Sequence, residues 1–69
     1  MHIEFTLHAK ERLRKRKISE EEVIRAVISP DKLVKEFEQY YARKNIGRGN
    51  IEVVYVRESY IKVLTVYWI

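Results

Sequence analysis

The sequence predicts an α+β domain: two N-terminal helices packed on one face of a mostly antiparallel four- to five-stranded sheet. Three observations predict it. Helix formers and a capping signature fill the chain up to Pro30. From Lys32 onward Val, Ile and Tyr dominate and the apolar period changes. Both glycines fall in one short segment, residues 45–50.

Taken in order, residues 2–5 alternate, with Ile3 and Phe5 on one side and Glu4 on the other, as in a brief strand. Thr6 is placed to cap a helix over about residues 8–17. Ser19 followed by Glu20, Glu21 and Glu22 is a capping box, with acids at the positive end of the helix dipole. That second helix runs to about Ile28, and Pro30 ends it. Val23, Ile24, Val27 and Ile28 form its expected buried stripe. Residues 33–37 and 40–44 then read as strands, and residues 45–50 as a loop. Residues 51–56 and 60–67 are two more strands, joined by a turn at Arg57, Glu58 and Ser59. Both are apolar on two faces, so central positions are expected for them. Two helices followed by a run of strands is the α+β order.

The 69 residues are expected to make one domain, residues 1–69. A domain of this size buries only about 60% of the surface its unfolded chain exposes. Dimerisation or a tightly bound partner is one route to stability for so small a core. There is no cysteine, and only two histidines, one of them next to Met1. Disulfides, structural zinc sites and His-rich metal clusters are therefore not expected, and no cofactor is implied. No apolar run approaches the roughly 18 residues that span a bilayer, and no signal peptide opens the chain, so the expected location is cytoplasmic with no membrane contact. Abundant Lys, Glu, Ile, Val and Tyr beside scarce Asn and Gln resemble proteins of hot-living organisms, where ion-pair networks supplement small cores.

The net charge of +4 is local. Residues 8–17 hold six Lys or Arg and one Glu, giving +5, so the remainder sums to −1. A patch of this kind suits a polyanion or an acidic protein. With His8 at zero on a helical wheel, Arg12 falls at about 40°, Lys15 at about −20° and Arg16 at about 80°. Ala9 and Leu13, at about 100° and 140°, make the stripe that packs on the sheet. His8, Arg12 and Arg16 therefore edge the buried stripe, with Lys15 farther out. Lys10, Arg14 and Lys17 point elsewhere. An imidazole one turn from an arginine can act with it on one group, and can serve as a general base. The plain alternatives are a capping or packing histidine and a solvated basic face. Tyr40, Tyr41, Tyr55, Tyr60 and Tyr67 all fall on predicted strands. Some should reach the sheet face that the helices leave open, where rings beside cations suit stacking on bases. The alternative for each is cross-strand packing.

The pattern of His8, Ala9, Arg12, Leu13, Arg16, Ile18, Ser19, Glu21, Glu22 and Val23, with Ile28, Pro30 and Asp31 after it, resembles the family called domain of unknown function 4258. The strand motifs at Ile51, Val53, Val54 and Tyr55 and at Val63, Leu64, Thr65, Val66 and Tyr67 extend the resemblance over nearly the whole chain. That family in turn resembles the RelE/ParE-like toxin superfamily. The resemblance implies a toxin-like, metal-independent endoribonuclease acting on RNA, such as ribosome-bound messenger RNA, and neutralised by an acidic antitoxin. It implies catalytic roles for His8, Arg12 and Tyr67, and nucleic-acid contacts from Arg16, Arg43 and Lys44. Lys15, from the helical wheel, and Tyr41, from the sheet tyrosines, join the expected nucleic-acid contacts. Two other readings stay open. One is a non-catalytic nucleic-acid-binding module. The other is a protein-interaction domain that docks an acidic partner or forms a homodimer burying the tyrosine face.

Overall fold

Each helix begins at a hydroxyl. The computed structural model describes residues 2–69. Its first strand, β1 (Ile3–Phe5), ends at Thr6, whose hydroxyl accepts a hydrogen bond from the Ala9 N–H at 3.0 Å. This cap starts α1 (Leu7–Arg16), which closes at Lys17 in the left-handed region, φ 56°. Both arms of the predicted capping box form. The Ser19 hydroxyl accepts from the Glu22 N–H at 3.1 Å, and the Ser19 N–H donates to the Glu22 carboxylate at 3.0 Å. The second helix, α2 (Glu20–Ile28), stops short of Pro30, which cannot donate to a further turn. Its buried residues are Val23, Ala26 and Val27, whereas Ile28 is largely exposed. The predicted stripe is corrected here: Ile24 and Ile28 fall about 100° and 140° round the helix from Val23, on its flank, and Ala26 faces inward instead.

Strands β2 (Lys32–Glu36), β3 (Gln39–Asn45), β4 (Asn50–Arg57) and β5 (Ile61–Trp68) join β1 in one sheet, in the order β1-β5-β4-β3-β2. β1 runs parallel to β5, and the other pairs are antiparallel. The fold is α+β as predicted, with five strands and both helices on one face: α1 over β5 and β1, α2 over β3 and β4. The two doubly apolar segments are β4 and β5, both interior strands.

Between Val54 and Tyr55 the register steps, from Val54 opposite Thr65 to Tyr55 opposite Val63, so Leu64 has no partner. The inserted residue resets the alternation. Val63 and Val66, three apart, both reach the helix side and are fully buried. With Ala42, Ile51, Val53 and Tyr55 they meet Ala9, Leu13, Val23, Ala26 and Val27 in the core.

Alternation along the strands also divides the tyrosines. Tyr40 and Tyr55 lie on the helix side with their rings stacked 5.1 Å apart. Tyr41 and Tyr67 lie on the opposite, uncovered face. Tyr60 precedes β5 rather than starting it, and meets His2 edge-on at 5.8 Å.

β1 is short, and beyond Val63 the outer edge of β5 belongs to α1. Thr6 donates to the Leu64 carbonyl at 3.3 Å, Arg16 Nη1 donates to the Val66 carbonyl at 2.6 Å, and the Trp68 indole donates to the Arg16 carbonyl at 2.9 Å. Thr6 and Arg16 thus satisfy β5 carbonyls that a longer β1 would have paired, and Trp68 satisfies a carbonyl at the end of α1. Among the described residues no helix is long and apolar enough to cross a membrane.

Candidate functional site

The uncovered sheet face carries a polar row that crosses four strands. Lys32 stands opposite Arg43, Arg43 opposite Glu52, and Glu52 opposite Tyr67. Glu52 is the centre and is only 7% exposed. Its Oε1 accepts from Arg43 Nε at 2.7 Å, and its Oε2 accepts from the Tyr67 hydroxyl. Burial by itself pushes the Glu52 carboxyl upward. The hydrogen bonds from Tyr67 and Arg43 outweigh it and hold the group below the ordinary carboxylate range, so Glu52 is ionised at neutral pH. The same contact works the other way on the phenol: burial, then the bond to Glu52, push Tyr67 up to about 12.

Arg43 meets Glu52 through Nε, and its side chain remains half-exposed, so the outer edge of the guanidinium faces solvent. Tyr41 lies beside it and donates to the Gln39 side chain at 3.0 Å. Lys32, Val34, Glu36, Tyr41, Arg43 and Glu52 line a hollow of about 180 Å³. The arrangement can hold an anion between Lys32 and Arg43, offer the Tyr41 ring for stacking, and present a phenol at Tyr67 that Glu52 keeps protonated.

The remaining residues singled out by the sequence lie elsewhere. His8 is exposed in the first turn of α1, and its Nε2 accepts from Arg12 Nε at a long 3.4 Å. Lys15 is exposed and lines a small hollow with Glu11, Arg12 and Arg14. Arg16 is half-buried and held by the Val66 carbonyl, which makes it a tether of α1 to the sheet. Lys44 alternates with Arg43, so it lies on the helix side, 3.6 Å from Asp31 Oδ1. The sheet itself separates these two neighbouring cations. Among the described residues no hydrogen bond or ion pair joins His8 and Arg12 to Arg43 and Tyr67. Both groups nevertheless border β5: Tyr67 belongs to it, and Arg16 ties the flank of α1 that carries Arg12 to its outer edge.

Glu52 and Lys32 were not singled out by the sequence reading. A signal for Glu52 existed, since it is the one acid inside an otherwise apolar run from Ile51 to Val56.

The match to the family described as domain of unknown function (DUF4258) covers residues 5–68. The chain belongs to the DUF4258 family. Every residue of the open-face row and of the α1 group lies inside the matched DUF4258 segment. No significant match is found among curated proteins or solved structures.

Proposed function

We propose that this DUF4258 domain is a toxin-like, metal-independent endoribonuclease that binds single-stranded RNA along its open sheet face and is held in check by an acidic antitoxin. The observation that carries the proposal is the row Lys32, Arg43, Glu52 and Tyr67 on the face that no helix covers, with Tyr41 beside it. In the reaction the ribose 2′-oxygen attacks the adjacent phosphorus and the bond to the 5′-oxygen breaks. The products are a 2′,3′-cyclic phosphate and a 5′-hydroxyl. Arg43 and Lys32 balance the charge that grows on the phosphorane. Tyr67 is the proton donor, kept protonated by the ionised Glu52 beside it: a phenol that releases its proton only near pH 12 can donate to a leaving alkoxide and then regain a proton from solvent. His8 is the proton acceptor of this reading and Arg12 its cationic neighbour, which requires the bound strand to cross the outer edge of β5 so that the reacting 2′-hydroxyl reaches the flank of α1. The proposed antitoxin matches the +5 of residues 8–17 by opposite charge.

A second reading, a nucleic-acid-binding module without chemistry, is favoured by one observation: Glu52 already engages both Arg43 and Tyr67. Incubation with labelled single-stranded RNA separates the two. The nuclease reading expects cyclic-phosphate ends, and a loss of about 10²–10³ in rate on removing one positioned donor by Arg43→Ala or Tyr67→Phe. Binding with no product, at an affinity that falls with a salt slope near −0.7 per phosphate neutralised, selects the module instead. A His8→Ala protein that folds and cleaves at the wild-type rate removes His8 from the mechanism.

A further inference from the structure

The two edges of the sheet are treated differently. On one side β1 is three residues long, and α1 occupies the rest of the β5 edge through Thr6, Arg16 and Trp68. On the other side β2 is five residues long, every one of them exposed, and no helix lies over it. Leu33 and Val34 are 48% and 41% exposed there. Phe37, in the turn that follows, is 94% exposed and has a positive φ of 57°. Unpaired strand edges of this kind are templates for another strand, and soluble proteins usually blunt them.

The backbone of β2 is arranged for such pairing. Glu36 and Gln39 flank the two-residue turn Phe37–Glu38 and face each other across β2 and β3. Closing residues of a two-residue hairpin form a hydrogen-bonded pair, and bonded and non-bonded pairs then alternate. Val34 therefore turns its N–H and C=O toward β3, while Leu33 and Lys35 turn theirs to the free edge.

We infer that β2 is a self-complementary edge that pairs antiparallel with β2 of a second copy of the chain, about a two-fold axis through Val34. In that register Leu33 of one copy meets Lys35 of the other, twice, and all four outward-facing N–H and C=O pairs are satisfied. Val34 meets Val34 on the axis. Lys32 meets Glu36 on the open face, again twice, so the strand KLVKE supplies its own charge complement. A shift of one residue brings Lys32 opposite Lys35 in one direction and opposite Phe37 in the other, and the ion pairs are lost. Lys35 does not obstruct the edge, because its ammonium is drawn over the Tyr40 ring, 5.4 Å from the centroid. Antiparallel partners share a face, so the two open faces join into one continuous ten-stranded surface. The hollows lined by Lys32, Val34, Glu36, Tyr41, Arg43 and Glu52 then lie on either side of the seam.

The test is the solution mass by light scattering and sedimentation over a concentration series. Wild type is expected to reach twice the 8.4 kDa chain mass. Lys32→Glu places glutamate opposite Glu36, and Glu36→Lys places lysine opposite Lys32. Each single variant should weaken association about tenfold or more, since two attractive pairs become repulsive. An equimolar mixture of the two variants should recover it as a heterodimer, as should the double variant alone. Leu33→Pro removes an N–H from the free edge while sparing the bonds to β3, and should abolish the dimer with far-UV circular dichroism unchanged. A wild type that stays monomeric at millimolar concentration overturns the inference, which leaves the edge to a different protein. So does a dimer that ignores all of these substitutions, or single variants that are not restored by mixing. RNA cleavage is not part of the readout, so the nuclease reading stands or falls separately.

Discussion

At the scale of single residues, Glu22 combines two roles. Its carboxylate caps the Ser19 N–H and also receives Arg48, with Nη2 at 2.8 Å and Nε at 3.0 Å. The bond from Arg48, then that from Ser19, lower its pKa from 4.5 to about 2. A depressed folded-state pKa stabilises the fold above the unfolded value, and that contribution is lost as pH falls toward the folded one. Thermal midpoints should therefore drop between pH 4.5 and about 2. Glu22→Gln should be less stable at neutral pH and fall less across the same window. Asp31 and Glu52 are lowered too, so the variant keeps part of the acid loss. Parallel curves for wild type and variant would refute the assignment. Tyr67 acts at the other end of the scale. Its pKa is raised from 10.0 to about 12, so its contribution is complete below pH 10 and disappears as pH rises to about 12. Wild type should lose more stability in that alkaline window than Tyr67→Phe, which keeps the smaller loss from Tyr55, also raised by burial, and the late phenolate absorbance of wild type should shrink in the variant.

At the scale of elements, the loop between β3 and β4 is fastened to the α1–α2 junction. Arg48 donates to the Lys17 carbonyl at 2.7 Å, binds Glu22, and lies over the Trp68 ring, 5.1 Å from its centroid. Within the loop, Ile46 N–H reaches the Gly49 carbonyl at 2.9 Å and Gly47 N–H reaches the Asn45 side chain at 2.8 Å. Gly49 has φ 146°, and a Cβ there would stand 2.9 Å from a Trp68 ring carbon. Gly47 has φ 93° with nothing within 4 Å of an added Cβ. Both alanine substitutions carry backbone strain of about 1–3 kcal/mol. Gly49→Ala adds displacement of the indole that holds the Arg16 carbonyl, and should lower the urea midpoint clearly more than Gly47→Ala. Equal losses would mean that Trp68 yields without cost.

At the scale of the whole molecule, local rules account for the elements. The capping box at Ser19, the stop at Pro30 and the single glycine loop depend on neighbours within a few residues, and each formed where the sequence placed it. The candidate site was less legible. His8, Arg12 and Arg16 share a helix edge as the wheel predicts, yet Arg16 ends on a carbonyl fifty residues away. Arg43 and Lys44 look equivalent in sequence, but strand alternation sends them to opposite faces. Glu52 gains its low pKa from Arg43, nine residues before it, and Tyr67, fifteen after.

Two capped helices, the apolar stripe of α1 and the strands that must be central follow from the sequence alone, because helical and strand periods and caps are short-range properties. The inward face of α2 was only half legible, since Ala26 and not Ile24 or Ile28 turns to the core. Only the tertiary structure decided which strands are neighbours, where Leu64 is inserted, and which cations share a face with Glu52. Those follow from pairing register between distant segments, and a one-residue change in register moves a side chain to the other side of the sheet.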